Sequence, residues 1–524
     1  MSSPLNYNIL LGEWPLDHGG PETKKLFVNF VVMALCFSIN HGTVVALINL
    51  STSLLGTGLG SVNLGTLYFM YVLTALTLGT PIIGMFGAKG GLIAGLGGYC
   101  VYVCSFALAA LVSATPPTEA ILGANPDSCF AAGAAALGPG PPSGGSWCAL
   151  TRVDVNVDPP PVPTCECQAT SLVKTVSLVG AMFGGIAAGF LWTAQGAYFA
   201  RNAELYAEVG GRIFGSDTTE VTTARATGLF SSIFAALYLS FEVVMKLLSS
   251  LLPAPWQLPF YALAAASSAA GLVLIRPLPP AAPPVQKPLL QKIGAASALL
   301  VSYRPIQLLA PTEMVFGFSA AMMNAWVNGE LVSCATDCVG AQNIGYFGTL
   351  TTVVAALASF CAGWYTTQKE GGVFRGKSPV MMAGNGAFGL LGLMVLLFPV
   401  SSFYGSFAML VPLYLLQGIG RGIFESTNKA VIADYCPGAR SEAGFASFVI
   451  LSGSASTIMF FIIPLLKAPR TCVPHDPSNV DDATTSVDAP LAFPRALVRA
   501  YRLGCSCCLL SVARTDVGRR WGWT

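Results

Sequence analysis

Three charged residues recur at every fourth position in an otherwise apolar stretch, and they are Arg421, Glu425 and Lys429. A step of four residues advances an α-helix by about 400°, so the three side chains share one face, together with Gln417. Glu425 can pair with either cation, and the alternating charges lower the cost of placing them near lipid. The pattern indicates an ion-pair network inside or beside a membrane.

Two hypotheses fit this face. A helix that enters from the outer side near residue 404 carries Arg421 about 26 Å down, to the inner interface. The face is then a cytoplasmic gate, whose ion pairs form and break as two halves of the protein rock. Alternatively, it is a structural latch with snorkelling side chains. Gln195 in LWTAQG matches Gln417 in LYLLQG, which favours an internal repeat and adds Gln195 to the candidate gate.

A second pair, Glu242 and Lys246, lies deeper in its apolar stretch, 226–252. At ~1.5 Å per residue, Glu242 is about 24 Å along a run of about 40 Å. A carboxylate inside a membrane can hold a cation or a proton. However, Glu preceding Lys by four is the favourable order for a pair. Because Lys246 can neutralise Glu242, we favour the interpretation of a self-satisfied pair.

Further polar residues occur on the first and seventh apolar stretches. They can line a hydrophilic path, but hydrogen bonding between helices explains them as well and is favoured. The polar residues are Asn40, His41, Asn324, Asn328 and Glu330. No metal partners surround His41 in the sequence, and no enzyme motif is present, so we expect no catalytic residue, metal or cofactor.

Composition places all these residues in a membrane protein. Only 10% of the 524 residues are charged, against about 25% in soluble proteins, and 53% are hydrophobic. The mean hydropathy is +0.64. A net charge of +2 gives no argument for nucleic acid. The chain is expected to be an integral multi-pass protein of the plasma membrane or an endomembrane, with the lipid bilayer as its partner.

Eleven apolar runs are long enough to span a membrane, and a Pro-rich segment divides them into six and five. With the N-terminus in the cytoplasm, inward segments hold fourteen Lys and Arg and outward loops hold one, which fits the positive-inside rule. The predicted organisation is a cytoplasmic N-terminus at 1–25, an N-terminal six-helix half at 26–275 with an outward loop at 114–170, a cytoplasmic linker at 276–311, a C-terminal half of five spans at 312–467, and a basic tail at 468–524.

Several motifs resemble the uncoordinated-ninety-three-like (Unc-ninety-three-like) family of the major facilitator superfamily. They are NLSTSL at 49–54, GAK at 87–89, GGIAAGFLWTAQGAYF at 184–199 and GIGRGIFESTNKAVIADY at 418–435. The resemblance implies an all-α bundle of two six-helix halves. Two departures stand out, because GMFGAKGG lacks the acidic residue of the superfamily signature and the twelfth helix is missing.

The resemblance also implies a role. Several family members regulate other membrane proteins, and some are linked to potassium homeostasis. The first hypothesis is therefore a non-enzymatic regulator or scaffold that binds a channel or receptor. The alternative is a secondary transporter that moves a small solute or cation by alternating access.

The tail at 468–524 differs from the rest of the chain. It carries seven arginines on the side where earlier loops hold one, and its apolar run near Cys508 is too short to span. Residues 471–490 are polar and predicted to be disordered. We interpret the tail as a departure from the family's usual end, through altered splicing or a shifted reading frame.

Cysteine location generates a first prediction. Six cysteines fall in predicted outward loops, which face an oxidising side, and we expect disulfide bridges among the first four, with the pairing open among three possibilities. Mass spectrometry of unreduced protein should find them protected from alkylation, and full alkylation of all four would contradict the prediction. The six are Cys129, Cys148, Cys165, Cys167, Cys334 and Cys338.

Overall fold

The computed structural model describes ten stretches of the chain. They are residues 21–55, 57–114, 149–150, 165–166, 171–210, 222–252, 254–279, 292–332, 343–367 and 376–465. The basic tail, the linker residues 280–291 and most of the outward loop lie outside these described residues. Within that loop, the strands β1 (Ala149–Leu150) and β2 (Cys165–Glu166) pair antiparallel.

The N-terminal half is built from six helices. An apolar segment in lipid must be helical, because its backbone N–H and C=O groups can form hydrogen bonds only within the segment. A π-helical turn, Ala75–Gly79, joins the second helix to the third, and a 3-10 turn, Leu272–Leu274, ends the half. The helices are α1 (Pro21–Leu54), α2 (Thr57–Thr74), α3 (Thr80–Ala114), α4 (Ser171–Glu208), α5 (Thr223–Leu251) and α6 (Ala254–Gly271).

The C-terminal half follows a short helix, α7 (Ala295–Ser302). Two of its membrane-spanning runs contain π-helical segments, which are Met322–Val332 and Phe424–Asn428. Such segments often mark functional sites. The helices are α8 (Arg304–Ala321), α9 (Ile344–Thr367), α10 (Lys377–Leu397), α11 (Phe407–Ile423), α12 (Lys429–Tyr435) and α13 (Ser441–Leu465).

The predicted spans agree with these helices. Among the described residues, nine helical segments are long and apolar enough to cross a membrane. One of them, Gly58–Ala109, is broken at Gly87, whose φ of 71° and ψ of 167° are not helical. This break falls at the end of the second apolar run of the sequence, 61–87, just before the third, 90–113. The weak sixth span corresponds to a shorter apolar helix, Pro259–Leu274.

Two boundaries differ from the prediction. The seventh span begins at Arg304 rather than near 312, and α7 precedes it, so the end of the predicted linker is helical. Pro305 stands in the first turn of α8, where proline is tolerated because its missing N–H has no partner there. The tenth apolar run predicts a span over 404–431, whereas the helical run in the structure is Phe407–Tyr435, so it ends four residues later.

Small residues let α4 pack closely against two neighbours. A side chain at Gly185 would collide with the carbonyl oxygen of Leu67 on α2, and one at Gly184 would meet the ring of Tyr102 on α3. Helices in membranes associate through such close contacts because lipid offers no hydrophobic drive. Gly184 and Gly185 of α4 therefore serve close packing against α3 and α2.

Replacing Gly185 tests the packing. Gly185→Ala should lower stability by about 1–3 kcal/mol, since the new methyl forces α2 and α4 apart. Gly97→Ala is the matched control, because Gly97 faces outward with open space around it. Thermal unfolding in detergent should show a lower midpoint for Gly185→Ala only. Equal midpoints for the two variants would contradict the close approach of α2 and α4.

Candidate functional site

A buried carboxylate joins the two halves. Both oxygens of Glu242, on α5, accept hydrogen bonds of 2.6 Å from the guanidinium of Arg421, on α11. Lys246 Nζ lies 2.7 Å from the same carboxylate. Two cations therefore share one carboxylate, and the stronger, bidentate pair crosses between the halves. We call Glu242, Lys246 and Arg421 the central triad.

Hydroxyl groups complete the surroundings of the triad. Thr352 on α9 donates to Glu242 Oε1 at 3.1 Å and accepts from Lys246 at 3.1 Å. Arg421 donates to the hydroxyl of Tyr238 at 2.9 Å. Glu242 is 0% exposed, so this carboxylate is fully removed from solvent and depends on its partners for stabilisation.

The triad changes two sequence-based expectations. Arg421 lies at the midpoint of the run Phe407–Tyr435 rather than near its inner end, because the run begins three residues later and ends four residues later than the predicted 404–431. The partner of Arg421 is Glu242 rather than Glu425. The self-satisfied pair of Glu242 and Lys246 does form, but it is part of a larger network that spans both halves.

A second charged group lies one turn further along the same run. Lys429 Nζ is 2.7 Å from Glu425 Oε2, in ion-pair contact without hydrogen-bond angles. The ammonium also stands 4.2 Å from the ring centre of Trp192 on α4, which stabilises it by a cation–π interaction. Trp192, in the N-terminal half, is therefore in contact with Lys429, a cation of the C-terminal half.

Sequence reasoning missed Glu313. This carboxylate on α8 is 1% exposed and accepts a hydrogen bond of 2.8 Å from Asn428. The rule that an ionisable residue within a membrane helix is a functional candidate would have found it. It was overlooked because the predicted start of the seventh span, near 312, left Glu313 at the membrane edge.

A cavity of about 140 Å³ lies between the halves, against the central triad. Its wall combines aromatic side chains with polar and charged ones. Cavities in which aromatic side chains surround polar groups are typical of sites for small molecules. Its aromatic lining includes Tyr68, Tyr71, Tyr99, Trp192, Tyr238, Phe316, Tyr414, Phe424 and Phe448. Its polar lining includes His41, Asn49, Lys246, Asn324, Asn328, Gln417, Arg421, Glu425, Ser452 and Ser456.

The predicted polar residues divide between cavity and packing. Three of them, His41, Asn324 and Asn328, line the cavity. Asn40 instead donates 2.9 Å to the carbonyl oxygen of Ala265 and so serves helix packing, as favoured from sequence. Glu330 is 8% exposed and is not part of the lining.

The two glutamines of the apparent repeat are also placed differently. Gln417 lines the cavity, whereas Gln195 is buried in α4 outside the lining. Among the described residues, the side-chain oxygens of both, the Nδ1 of His41 and the Nδ2 of Asn49 have no protein hydrogen-bond partner. Unpartnered polar atoms around the cavity are available to a bound molecule.

Polar contacts join the halves on two sides of the cavity. On one side, Asp434 accepts from Thr227 of the other half at 2.7 Å, and Lys377, which pairs with Asp434 at 2.7 Å, also donates to Thr227 at 2.9 Å. On the other side, in the cavity wall, Asn328 donates to Asn49 of the other half at 3.2 Å and accepts from Tyr414 of its own half at 2.6 Å. The first group, which we call the inner latch, lies at the end that the Lys and Arg count predicts to be cytoplasmic.

The predicted disulfide cysteines cannot be followed into the structure. Cys129, Cys148, Cys167, Cys334 and Cys338 lie outside the described residues, and only the backbone of Cys165 is described.

Other cysteines are described as free thiols. Four of them lie in membrane helices, and a fifth, Cys436, is buried beyond the end of α12, where burial raises the pKa of its thiol to about 11. Within the described part of the chain, no cluster of His, Cys, Asp or Glu could hold a metal ion. The four membrane cysteines are Cys36, Cys100, Cys104 and Cys361.

Comparison with solved structures identifies the fold. The proton:xylose symporter XylE superposes with a TM-score of 0.52 at 11% identity, covering 94% of each chain. The E. coli fucose:proton symporter FucP superposes with a TM-score of 0.51 at 12% identity, covering 94% of this chain and 98% of its own. No protein-family model and no curated protein sequence matches the chain. The protein is an all-α, multi-pass membrane protein with the major facilitator fold.

Removing single members of the central triad should have unequal effects. Glu242→Gln leaves two buried cations without a carboxylate and should cost about 3–5 kcal/mol of stability. Lys246→Gln should cost clearly less, because Glu242 keeps its bidentate bond to Arg421. Thermal unfolding of the purified variants measures the difference. Equal losses in the two variants would contradict the shared-carboxylate geometry.

Proposed function

We propose that this protein is a secondary transporter that moves a small solute through its central cavity by alternating access. The observation that carries the proposal is the cavity between the halves, with polar contacts between the halves on two sides of it. Such a cavity can open to either side when one set of contacts breaks and the other holds. The two sets are the inner latch and the hydrogen bond between Asn328 and Asn49.

The central triad suits this mechanism. Arg421 and Glu242 lie on opposite halves, and when the halves separate, Lys246 stays on the same helix as Glu242 and can neutralise it. The carboxylate therefore retains a counter-ion in every state, which lowers the cost of moving the halves. Glu425, Lys429 and Trp192 form a second cross-half contact, so the predicted gate extends further into the protein than the sequence indicated.

The structural neighbours support transport more than regulation. Both are described as proton-coupled sugar symporters, and their fold is shared here over nearly the full chain. We therefore adopt the hypothesis that was the alternative in the sequence analysis. The regulator hypothesis, and a role in potassium homeostasis, rest on the family resemblance alone.

The Unc-ninety-three-like assignment is kept as part of the proposal. Two of its supporting motifs, at 184–199 and 418–435, lie in the helices that carry Trp192 and Arg421. The motifs of the resemblance therefore coincide with the cavity wall. The proposed cellular location is the plasma membrane or an endomembrane, with the N-terminus in the cytoplasm.

Two-sided labelling of a cavity residue tests alternating access without a known substrate. In sealed vesicles, Asn324→Cys should react with a membrane-impermeant thiol reagent from both sides, above the labelling of the parent protein. Adding Asp434→Asn replaces the charged acceptor of the Thr227 hydroxyl by a neutral one and so weakens a contact of the inner latch between the halves. The balance should therefore shift by several-fold toward the side where Lys377 lies.

Leu390→Cys is the matched control. Leu390 is 55% exposed on α10 and faces outward, so a charged reagent should not reach it within lipid. If Asn324→Cys reacts from one side only, and Asp434→Asn leaves this unchanged, the cavity does not alternate and the transporter proposal fails.

A further inference from the structure

We infer that Glu313 is a proton-binding site, and that the cavity opens toward the inner latch as this carboxyl group releases its proton to water. The inference rests on the proposed function and names the proton as a second species that takes part in the transport cycle. It starts from the partners of the buried glutamates.

Glu313 differs from Glu242 and Glu425 in its partners. Glu242 contacts two cations, and Glu425 lies 2.7 Å from Lys429. Glu313 is 1% exposed, and its Oε1 accepts a hydrogen bond of 2.8 Å from the neutral amide of Asn428. Its Oε2 has no hydrogen-bond partner among the described residues. An ionised carboxylate removed from water without a cation is costly, so a carboxyl group in this position holds a proton.

The charged groups around Glu313 do not supply the missing cation. The two that act on it electrostatically are Glu425 and Lys429, which are paired with each other and exert opposite effects. Within the described part of the chain, the other charged residues on α8 and on the elements packed against it make no contact with Glu313. They are Arg304, Glu330, Lys377, Arg421, Asp434 and Glu442.

Glu313 lies one helical turn from the cavity wall. Phe316, three residues further along α8, lines the cavity and stacks on Phe424 with 3.6 Å between the ring centres. Asn428, the hydrogen-bond partner of Glu313, ends the π-helical segment that begins at Phe424. Such segments occur frequently at functional sites. A shift of α8 against this segment therefore alters the cavity wall and the environment of Glu313 together.

Opening at the inner latch gives the proton a way out. Asp434, which accepts from Thr227 across the halves, lies six residues beyond Asn428 on the same run, about 9 Å along a helix. When this contact breaks and water enters, the O–H bond of Glu313 breaks, the proton passes to a water molecule, and the electron pair stays on the carboxylate. The carboxylate is stable while water solvates it. Closing the halves again requires the proton to return, because burial of the bare charge is costly.

The pH dependence of two-sided labelling tests the coupling. Asn324→Cys in sealed vesicles would be labelled from each side at equal pH on both sides, and the ratio of the two cancels the pH dependence of thiol reactivity. From mildly acidic to mildly alkaline buffer, the ratio should shift several-fold toward the inner side. Adding Glu313→Gln, which keeps an acceptor for Asn428 but cannot ionise, should hold the ratio at its acidic value. A pH response that persists in this variant would overturn the inference.

Glu22→Gln is the matched control. The Glu22 side chain is 67% exposed on α1 and pairs with Lys25 of the same helix. This variant should keep the pH response of Asn324→Cys. Loss of the response in Glu22→Gln as well would show that the response does not belong to Glu313, and would overturn the inference.

Infrared spectroscopy of the full-length protein at neutral pH detects the proton directly, because a protonated carboxyl group and a carboxylate absorb at different frequencies. We expect a protonated-carboxyl band that disappears in Glu313→Gln. Thermal unfolding of Glu313→Gln should give a midpoint near that of the parent protein, since one neutral group replaces another. Loss of a carboxylate band instead, or a fall in midpoint as large as that of Glu242→Gln, would show that Glu313 is ionised and would overturn the inference.

The two measurements separate this inference from the proposed function. Two-sided labelling that is independent of pH would leave the transporter proposal standing and overturn the proton coupling. One-sided labelling at every pH, together with the infrared band of Glu313, would confirm the proton on this carboxyl group but overturn both its coupling to opening and the transporter proposal.

Discussion

The bidentate ion pair between Glu242 and Arg421 is the interaction on which the rest of the structure depends. Two charges are removed from water within the bundle, and each has a partner in the other half of the protein. The relative position of the halves is therefore fixed electrostatically at their centre, while the small residues of α4 fix the packing within the N-terminal half. The cavity lies between the halves, beside the central triad and α4.

Lys246 gives this arrangement its functional character. A carboxylate with one partner across the interface would resist any separation of the halves, because separation would leave a bare charge. With Lys246 Nζ 2.7 Å away on the same helix, Glu242 keeps a counter-ion when Arg421 leaves. Movement of the halves thus depends on the sharing of one carboxylate by two cations.

The sequence predicted the helices well and the site only in part. Apolar runs identify membrane helices because their composition is dictated by lipid. The pairing rule for positions four apart found Lys246 with Glu242 and Lys429 with Glu425. It could not find Glu242 with Arg421, because those residues are far apart in sequence and only the tertiary fold brings their side chains together. Glu313 was missed because a helix start was placed too late.

A double-mutant cycle on Glu242 and Arg421 tests the central claim most directly. Stability would be measured for the parent protein, Glu242→Gln, Arg421→Gln and the double variant. The account predicts a double variant that loses much less stability than the sum of the single losses, with a coupling of about 1–3 kcal/mol, the upper part of the range for residues in contact. Additive losses within about 0.5 kcal/mol would show that the two residues act independently and would contradict it.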